Sequence, residues 1–218
     1  FIDCINKRKD HIPLQIILGS STFYGRDFIL FPDVFVPRPE TEQIIEILAK
    51  KKYRKALDIC SGSGVLGITL HLEGIASTVD TIDISEVCID NIHENIKYFN
   101  CSNSVTAYQL DIIKDKPDTQ YDIIVCNPPY IKFNDIDSLP HNVKHYDPIN
   151  ALTDFDDGLG FYHRINNILN VLLLKEGILL IEFGGHLQVD KIKSIFSQYK
   201  TAIYRDFNNY PRIMKITL

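Results

Sequence analysis

No apolar run in this sequence approaches the roughly 18 residues that a membrane-spanning helix needs. The first ten residues, Phe1 to Asp10, are charged where a secretory signal would be apolar, so a cytoplasmic protein is expected. Cysteine is sparse: Cys4, Cys60, Cys88, Cys101 and Cys126 are scattered, odd in number and never in a C-x-x-C pair. That excludes a disulfide framework and a four-thiolate zinc site, and suits a reducing compartment. An excess of basic residues is missing too, since 23 Lys and Arg stand against 28 Asp and Glu for a net charge of −5. A broad nucleic-acid-coating surface is therefore not expected, although a local basic groove stays compatible with the count. Repeats, low-complexity tracts and long linkers are also lacking. What remains is 218 residues, 45% hydrophobic and 23% charged, too apolar for disorder and long enough for one full-sized core. A single domain with at most a small appendage, monomeric, is the expectation.

The chain then has to be read from its periodicities. Residues 7–10 form a solvated charge run, and residues 22–30 resemble strand, turn and strand, with the turn centred on residues 25–27. Pro37-Arg38-Pro39 must be extended, because each proline biases its predecessor away from helix. Glu40 or Thr41 then opens a helix whose Ile44, Ile45, Leu48 and Ala49 share a face. From Lys55 onward short β-rich runs (56–59, 78–82, 105–110, 121–126) alternate with helices from Val65 and over 85–99. Strand, helix, strand, repeated, predicts right-handed crossovers and a mostly parallel sheet with helices on both faces. A polar loop over 132–150 precedes a helix over 158–174, whose Ile165, Ile168, Leu169 and Leu172 make an ordinary core stripe. A strand over 177–183 and a helix over 188–199 follow. Two last strands, 202–205 and 212–217, are joined closely enough through Asn208, Asn209 and Pro211 to be antiparallel, which reverses one strand of the sheet.

Within this frame, residues 57–67 read as a strand running into a glycine-rich turn and then a helix, the arrangement that brings backbone to a ligand at a helix N-terminus. Gly62, Gly64 and Gly67 satisfy G-x-G-x-x-G literally, a pattern also met in tight turns that merely pack a helix. Asp83 ends the next strand about twenty residues on, where a carboxylate can accept both hydroxyls of a ribose or cap the helix entered through Ser85. Asp111 stands at the same edge after the third strand, as a border for an adenine or as a surface turn residue. Together these positions mark the crevice at the carboxyl ends of the strands, where open α/β sheets bind ligands.

Directly after the run 121–126 stands Asn127-Pro128-Pro129-Tyr130, a tetrapeptide expected by chance in about one such chain in a thousand. Two prolines stiffen the backbone and remove two N–H donors, leaving carbonyl oxygens, while Asn127 adds an oxygen acceptor and Tyr130 a flat wall. Such a site suits an NH2 group on a planar system. An amide or exocyclic amine is a poor nucleophile because its lone pair is delocalised, and two acceptors holding its hydrogens favour the geometry that aims that pair at an electrophile. If the electrophile is a sulfonium methyl in the glycine-turn crevice, no base is needed before attack, and the proton leaves once nitrogen is cationic.

With these motifs the sequence resembles the class I S-adenosylmethionine-dependent methyltransferases and, within them, the release factor glutamine N5-methyltransferases (the HemK/PrmC family), which methylate the glutamine of the Gly-Gly-Gln loop of peptide chain release factors. Phe35-Val36-Pro37-Arg38-Pro39-Glu40-Thr41-Glu42 matches the signature ahead of the cofactor turn, and Asn127 to Tyr130 match the substrate motif. Further matches are Asp147-Pro148-Ile149-Asn150-Ala151-Leu152, Asp157-Gly158-Leu159, Glu182-Phe183-Gly184 with Gln188, and Asp206 with Arg212. The resemblance implies a Rossmann-like fold over 37–218 with an N-terminal hairpin. It implies S-adenosylmethionine as cofactor, lined by Cys60, Ser61, Gly62, Ser63, Gly64, Asp83, Asp111, Ile112 and Asn127. The glutamine amide would be held by Asn127, Pro128, Pro129 and Tyr130, with Phe35 as a further pocket wall, and release factors would be the protein substrate. Two departures stand out. Cys60 occupies a position that is usually glycine, so the turn has to accommodate a side chain. Residues 1–36 are expected to be only a lead-in linker with a hairpin, without the helical N-terminal domain that family members usually carry.

Other residues attract plainer readings. His141 and His145 would share a face on a helix, but Pro140 and polar surroundings argue for a loop, no third ligand is apparent, and no metal is expected. Asp147 and Asp157 read as turn and cap residues rather than an acid–base pair. Arg38 either pairs with a neighbouring Glu or reaches a substrate backbone. Within the same chemistry, the alternative substrate is an exocyclic amine of adenine or guanine in RNA or DNA, which the acidic balance disfavours. The literal glycine pattern also permits a nicotinamide-dependent dehydrogenase, in which the Asn-Pro-Pro-Tyr segment has no role, and only Cys60 and the expected lack of the helical N-terminal domain hint at a non-catalytic binding module.

Overall fold

The computed structural model describes residues 2–218. Two helices lead in, α1 (Ile2–Lys9) and α2 (Leu14–Leu18), followed by the hairpin β1 (Ser20–Phe23) and β2 (Arg26–Ile29). The expected charge run is thus the end of a helix. α1 was not legible because it buries no residue and so carries no apolar stripe. The hairpin turn falls on Tyr24 and Gly25, one residue earlier than expected, with φ of 48° and 71°. Both central residues are left-handed, as a two-residue turn that follows the strand twist requires.

A 3-10 turn (Pro39–Glu42) then leads into α3 (Gln43–Leu48), whose Ile44, Ile45 and Leu48 are buried. The main alternation follows: β3 (Tyr53–Ile59), α4 (Val65–Leu72), β4 (Ala76–Asp83), α5 (Glu86–Tyr98), β5 (Val105–Gln109) and β6 (Tyr121–Cys126). The segment expected as a polar loop holds instead a 3-10 stretch (Phe133–Ser138), α6 (His141–Tyr146) and α7 (Ile149–Leu152). These turns are too short to show a period, and α6, which starts after Pro140, buries none of its residues. The chain closes with α8 (Gly160–Leu172), β7 (Leu173–Glu182), α9 (His186–Ile195), β8 (Lys200–Arg205) and β9 (Pro211–Thr217). β7 begins directly where α8 stops, earlier than its sequence pattern suggests, and its pairing with β6 shifts register between Tyr121 and Ile123.

The seven-stranded sheet has the order β5-β4-β3-β6-β7-β9-β8, and β9 alone runs against the others. The mostly parallel sheet with one reversed strand is as expected. Alternate residues face opposite layers: Ala56, Ile123 and Val125 join a core with the hairpin, α3, α4 and α5, while Leu57, Ile124 and Cys126 face Tyr162, Ile165, Leu169 and Phe196. Phe23 and Phe28 of the hairpin sit in the first of these cores. Two buried asparagines of α5 hold the hairpin edge: Asn95 Oδ1 accepts from Ile29 N at 2.8 Å and Asn91 Oδ1 from Phe31 N at 3.0 Å. Among the described residues no helix is long and apolar enough to cross a membrane.

Candidate active site

Parallel register builds the site. Ile59 pairs with Ile82 on one side and Cys126 on the other, and Cys126 pairs with Ile181. The next residues, Cys60, Asp83, Asn127 and Glu182, therefore form one row at the carboxyl ends of four neighbouring strands. The order of the strands reverses between β3 and β6, so a crevice opens where no crossover covers the sheet. There lies a cavity of about 850 Å³, within the range that holds small ligands. All the cofactor and substrate positions named from the sequence line it except Gly64, and Phe35 lines it too. A Cβ on Gly64 would meet Ile92 at 3.1 Å, so that glycine faces α5 rather than the cavity.

The bank formed by β3 and β4 is shaped by backbone. Cys60, Gly62 and Gly64 all have left-handed φ, at 59°, 56° and 79°. Cys60 is accommodated, but in a conformation that disfavours a side chain. A Cβ on Gly62 would meet nothing within 4 Å, leaving its backbone open to an approaching ligand. Gly67 serves packing, because a Cβ there would stand 2.5 Å from Thr81 Cγ2. Asp58, not singled out from the sequence, braces the turn: its Oδ2 accepts from Gly67 N at 2.9 Å, and burial pushes its carboxyl up to about 7. Asp83 accepts from Gly62 N at 2.9 Å and from Ser85 N at 3.0 Å. It is thus a brace for both the turn and the start of α5, as well as part of the cavity wall, and burial raises its carboxyl above the usual range. Ser63 Oγ is buried with no partner among the described residues. Asp111 turns back on itself, accepting from Ile113 N and pairing with Lys114 at 2.9 Å. Arg164 Nε fixes the Ile112 carbonyl at 2.8 Å.

The opposite bank is shaped by side chains from afar. Asn127 Nδ2 donates to Thr41 Oγ1 at 3.2 Å, and the Thr41 hydroxyl donates to Glu182 Oε2 at 2.8 Å. Gln188 accepts from Gly184 N and donates to the Tyr130 carbonyl at 2.9 Å, tying the loop to the end of β7. Gly158 passes beneath that carbonyl, where a Cβ would stand 2.3 Å from the oxygen. Thr41, Glu182, Gln188 and Gly158 appeared in the sequence only as parts of motifs or as element boundaries. The signal that marks Glu182 is a carboxylate inside the apolar run 177–183. Arg38 pairs with Asp147 rather than with a neighbouring Glu, and its guanidinium lies 4.7 Å from the centre of the Phe35 ring. Asp147 is therefore an ion-pair partner, while Asp157 is a turn residue ahead of α8, accepting from Leu159 N at 3.0 Å. His141 and His145 do share a helix, stacked with centroids 4.0 Å apart, because Pro140 starts α6 instead of preventing it. No group of three metal-ligating side chains occurs among the described residues.

Residues 39–141 match a family model described as methyltransferase small domain. A Bacillus subtilis protein named release factor glutamine methyltransferase is 32% identical over 95% of this chain and 76% of its own length. A Clostridium botulinum protein of the same name is 31% identical over 99% and 79%. Among solved structures, a methyltransferase from Pyrococcus furiosus superposes with a TM-score of 0.68 at 14% identity, covering 90% of each chain. A ribosomal protein L11 methylase from Lactobacillus delbrueckii subsp. bulgaricus gives 0.57 at 19%, covering 83% of this chain and 78% of that one.

Proposed function

This chain belongs to the release factor glutamine methyltransferase family, and we propose that it methylates the side-chain amide nitrogen of the glutamine in the Gly-Gly-Gln loop of peptide chain release factors, in the cytoplasm, with S-adenosylmethionine as donor. Its fold is that of the class I methyltransferases. That membership sets aside the dehydrogenase and the non-catalytic readings of the glycine turn.

The cavity fits a nucleoside with a short polar tail. Asp83 has a carboxylate at its wall for ribose hydroxyls, Gly62 leaves backbone open, and Ser63 Oγ is a buried polar atom still lacking a partner. Ile112 would wall the base, with Cys60 and Ser61 bordering the tail. S-adenosylmethionine supplies, when bound, a methyl group on positively charged sulfur.

The observation that carries the reading is on the other bank. Neither Asn127 Oδ1 nor the Pro128 carbonyl has a donor among the described residues, and Asn127 stands one strand across from the glycine turn. Two such acceptors hold the two hydrogens of a planar NH2 group and favour the geometry that directs its lone pair toward the neighbouring bank. Tyr130 supplies an apolar wall, and its buried hydroxyl is held neutral, burial raising its pKa. No side chain has to remove a proton beforehand, since the nitrogen becomes acidic only when it turns cationic.

The test is incubation of the chain with methyl-labelled cofactor and intact release factor, followed by mass mapping. Label on the Gly-Gly-Gln glutamine is the expected result. Label in RNA or DNA with none in the release factor would replace the glutamine by a flipped base amine.

A further inference from the structure

Asn127 combines a symmetric shape with an asymmetric charge. The oxygen and nitrogen of its carboxamide fill nearly the same volume, so packing alone does not decide which of them faces the cavity. Only one choice serves the reaction proposed above, because an NH2 turned toward the substrate's NH2 would oppose it. What decides lies behind Asn127. The Thr41 hydroxyl has one proton, and it is committed to Glu182 Oε2 at 2.8 Å. A carboxylate has no proton to return, so Thr41 Oγ1 is left as an acceptor and its partner at 3.2 Å has to be the Asn127 NH2. Thr41 and Glu182 are 3% and 2% exposed, shielded from water that would blur this polarity.

We propose that Thr41 and Glu182 are positioning residues for methyl transfer: the carboxylate, acting through the threonine hydroxyl, fixes the Asn127 carboxamide with its oxygen toward the substrate amide. This rests on the glutamine reaction proposed above. It also explains why a carboxylate stands in the otherwise apolar run 177–183, where an apolar side chain would pack without the desolvation penalty. Charge pairing does not account for it, since Arg38 and Arg212 form their ion pairs with Asp147 and Asp206. From their distance those two arginines favour the charged form of Glu182, and Glu40 opposes it. Tyr130, Tyr162 and Cys126 are its other titratable neighbours, with Tyr162 donating to the Glu182 backbone carbonyl at 2.9 Å. Burial outweighs them and lifts the carboxyl up to about 7. Once protonated, Glu182 can donate to Thr41, which frees the threonine proton for Asn127 and permits the opposite carboxamide. Turnover is therefore expected to rise with pH through the Glu182 titration.

Three variants test the chain: Thr41→Val, which keeps the shape and removes the hydroxyl, Thr41→Ser, which restores it, and Glu182→Gln, which cannot ionise. On release factor, Thr41→Val is expected to lower kcat by about 10- to 100-fold, the consequence of leaving a buried hydrogen-bonding group unmatched. Its KM for release factor and its calorimetric affinity for S-adenosylmethionine should stay within about twofold of native, as expected for a group acting only on substrate orientation. Thr41→Ser should recover most of the loss. Glu182→Gln should flatten the pH profile of kcat. Independently of activity, the side-chain amide 15N resonance of Asn127 should move with pH in the native chain and stay flat in Glu182→Gln. A native kcat in Thr41→Val, a serine variant as impaired as the valine, a loss shared equally by cofactor affinity, or an Asn127 resonance blind to pH would each overturn the relay. Failure of the native chain to methylate release factor would instead remove the proposed substrate, and the resonance measurement would still decide whether Glu182 governs Asn127.

Discussion

The two banks of the cavity are built by different means. Along β3 and β4 the wall is backbone: three left-handed residues in five, a serine and two aspartates, all within one strand–turn–helix and the strand beside it. Along β6 the wall is a rigid proline loop held by the side chains of Thr41, Glu182 and Gln188 and packed closely over the Gly158 backbone, which the fold alone brings together. The difference teaches that binding a nucleoside needs local backbone geometry, whereas aiming a weak nucleophile needs buttresses from several directions. It also makes the banks separable by mutation.

The sharpest separation is expected for Gly158→Ala. A Cβ at that residue would collide with the Tyr130 carbonyl at 2.3 Å, and φ of 76° disfavours any side chain. Displacing the loop by even about 1 Å can lower turnover roughly 100-fold. Affinity for S-adenosylmethionine, measured by calorimetry, should change little. Comparable losses in both would show that the banks are mechanically one.

A smaller effect concerns the bracing carboxylates. Asp58 is lifted from its ordinary 3.8 to about 7 by burial. Below about pH 4 it is protonated whether the chain is folded or not. As pH rises toward 7 the unfolded chain loses this proton first, so folding stability falls across that window and the penalty is complete above it. Glu182 adds a change of the same sign. Asp58→Asn keeps an acceptor for Gly67 N and removes the ionisation. Its thermal midpoint relative to native should therefore climb between pH 5 and pH 8, and a constant difference would contradict the assignment.

The smallest effect is expected at Cys60. Its φ of 59° holds an L side chain in a region that costs about 1–2 kcal/mol. Cys60→Gly relieves that strain while loosening the unfolded chain, so a net gain of at most about 1 kcal/mol follows. Denaturant melts should show it together with unchanged or tighter cofactor binding. A destabilised Cys60→Gly would mean that the thiol's packing against the second core outweighs the strain.

The same division explains what the sequence made legible. The strands β3, β4 and β6 were readable because each holds a short run of β-favouring residues followed by a turn or cap residue, and the glycine bank was readable because its parts are contiguous. α1 and α6 were not, since neither buries a residue, and the start of β7 was hidden because helix passes into strand at Leu172 and Leu173 without a breaker. Asn127 announced itself through its two prolines. Thr41 and Glu182 did not, because a hydrogen bond between residues 141 apart leaves no trace in local pattern. Arg38 and Asp147, 109 apart, were misread for the same reason.

The central claim is that Asn127 acts on the nitrogen that receives the methyl group and not on the cofactor's tenure in the cavity. Asn127→Ala measures it directly, with turnover on release factor and calorimetric affinity for S-adenosylmethionine determined on the same preparation. The expected result is a fall in kcat of about 100- to 1,000-fold, the scale for losing one preorganised polar contact in a transition state, with affinity within a few-fold of native. Native turnover in Asn127→Ala, or a fall matched by an equal loss of cofactor affinity, would contradict the account.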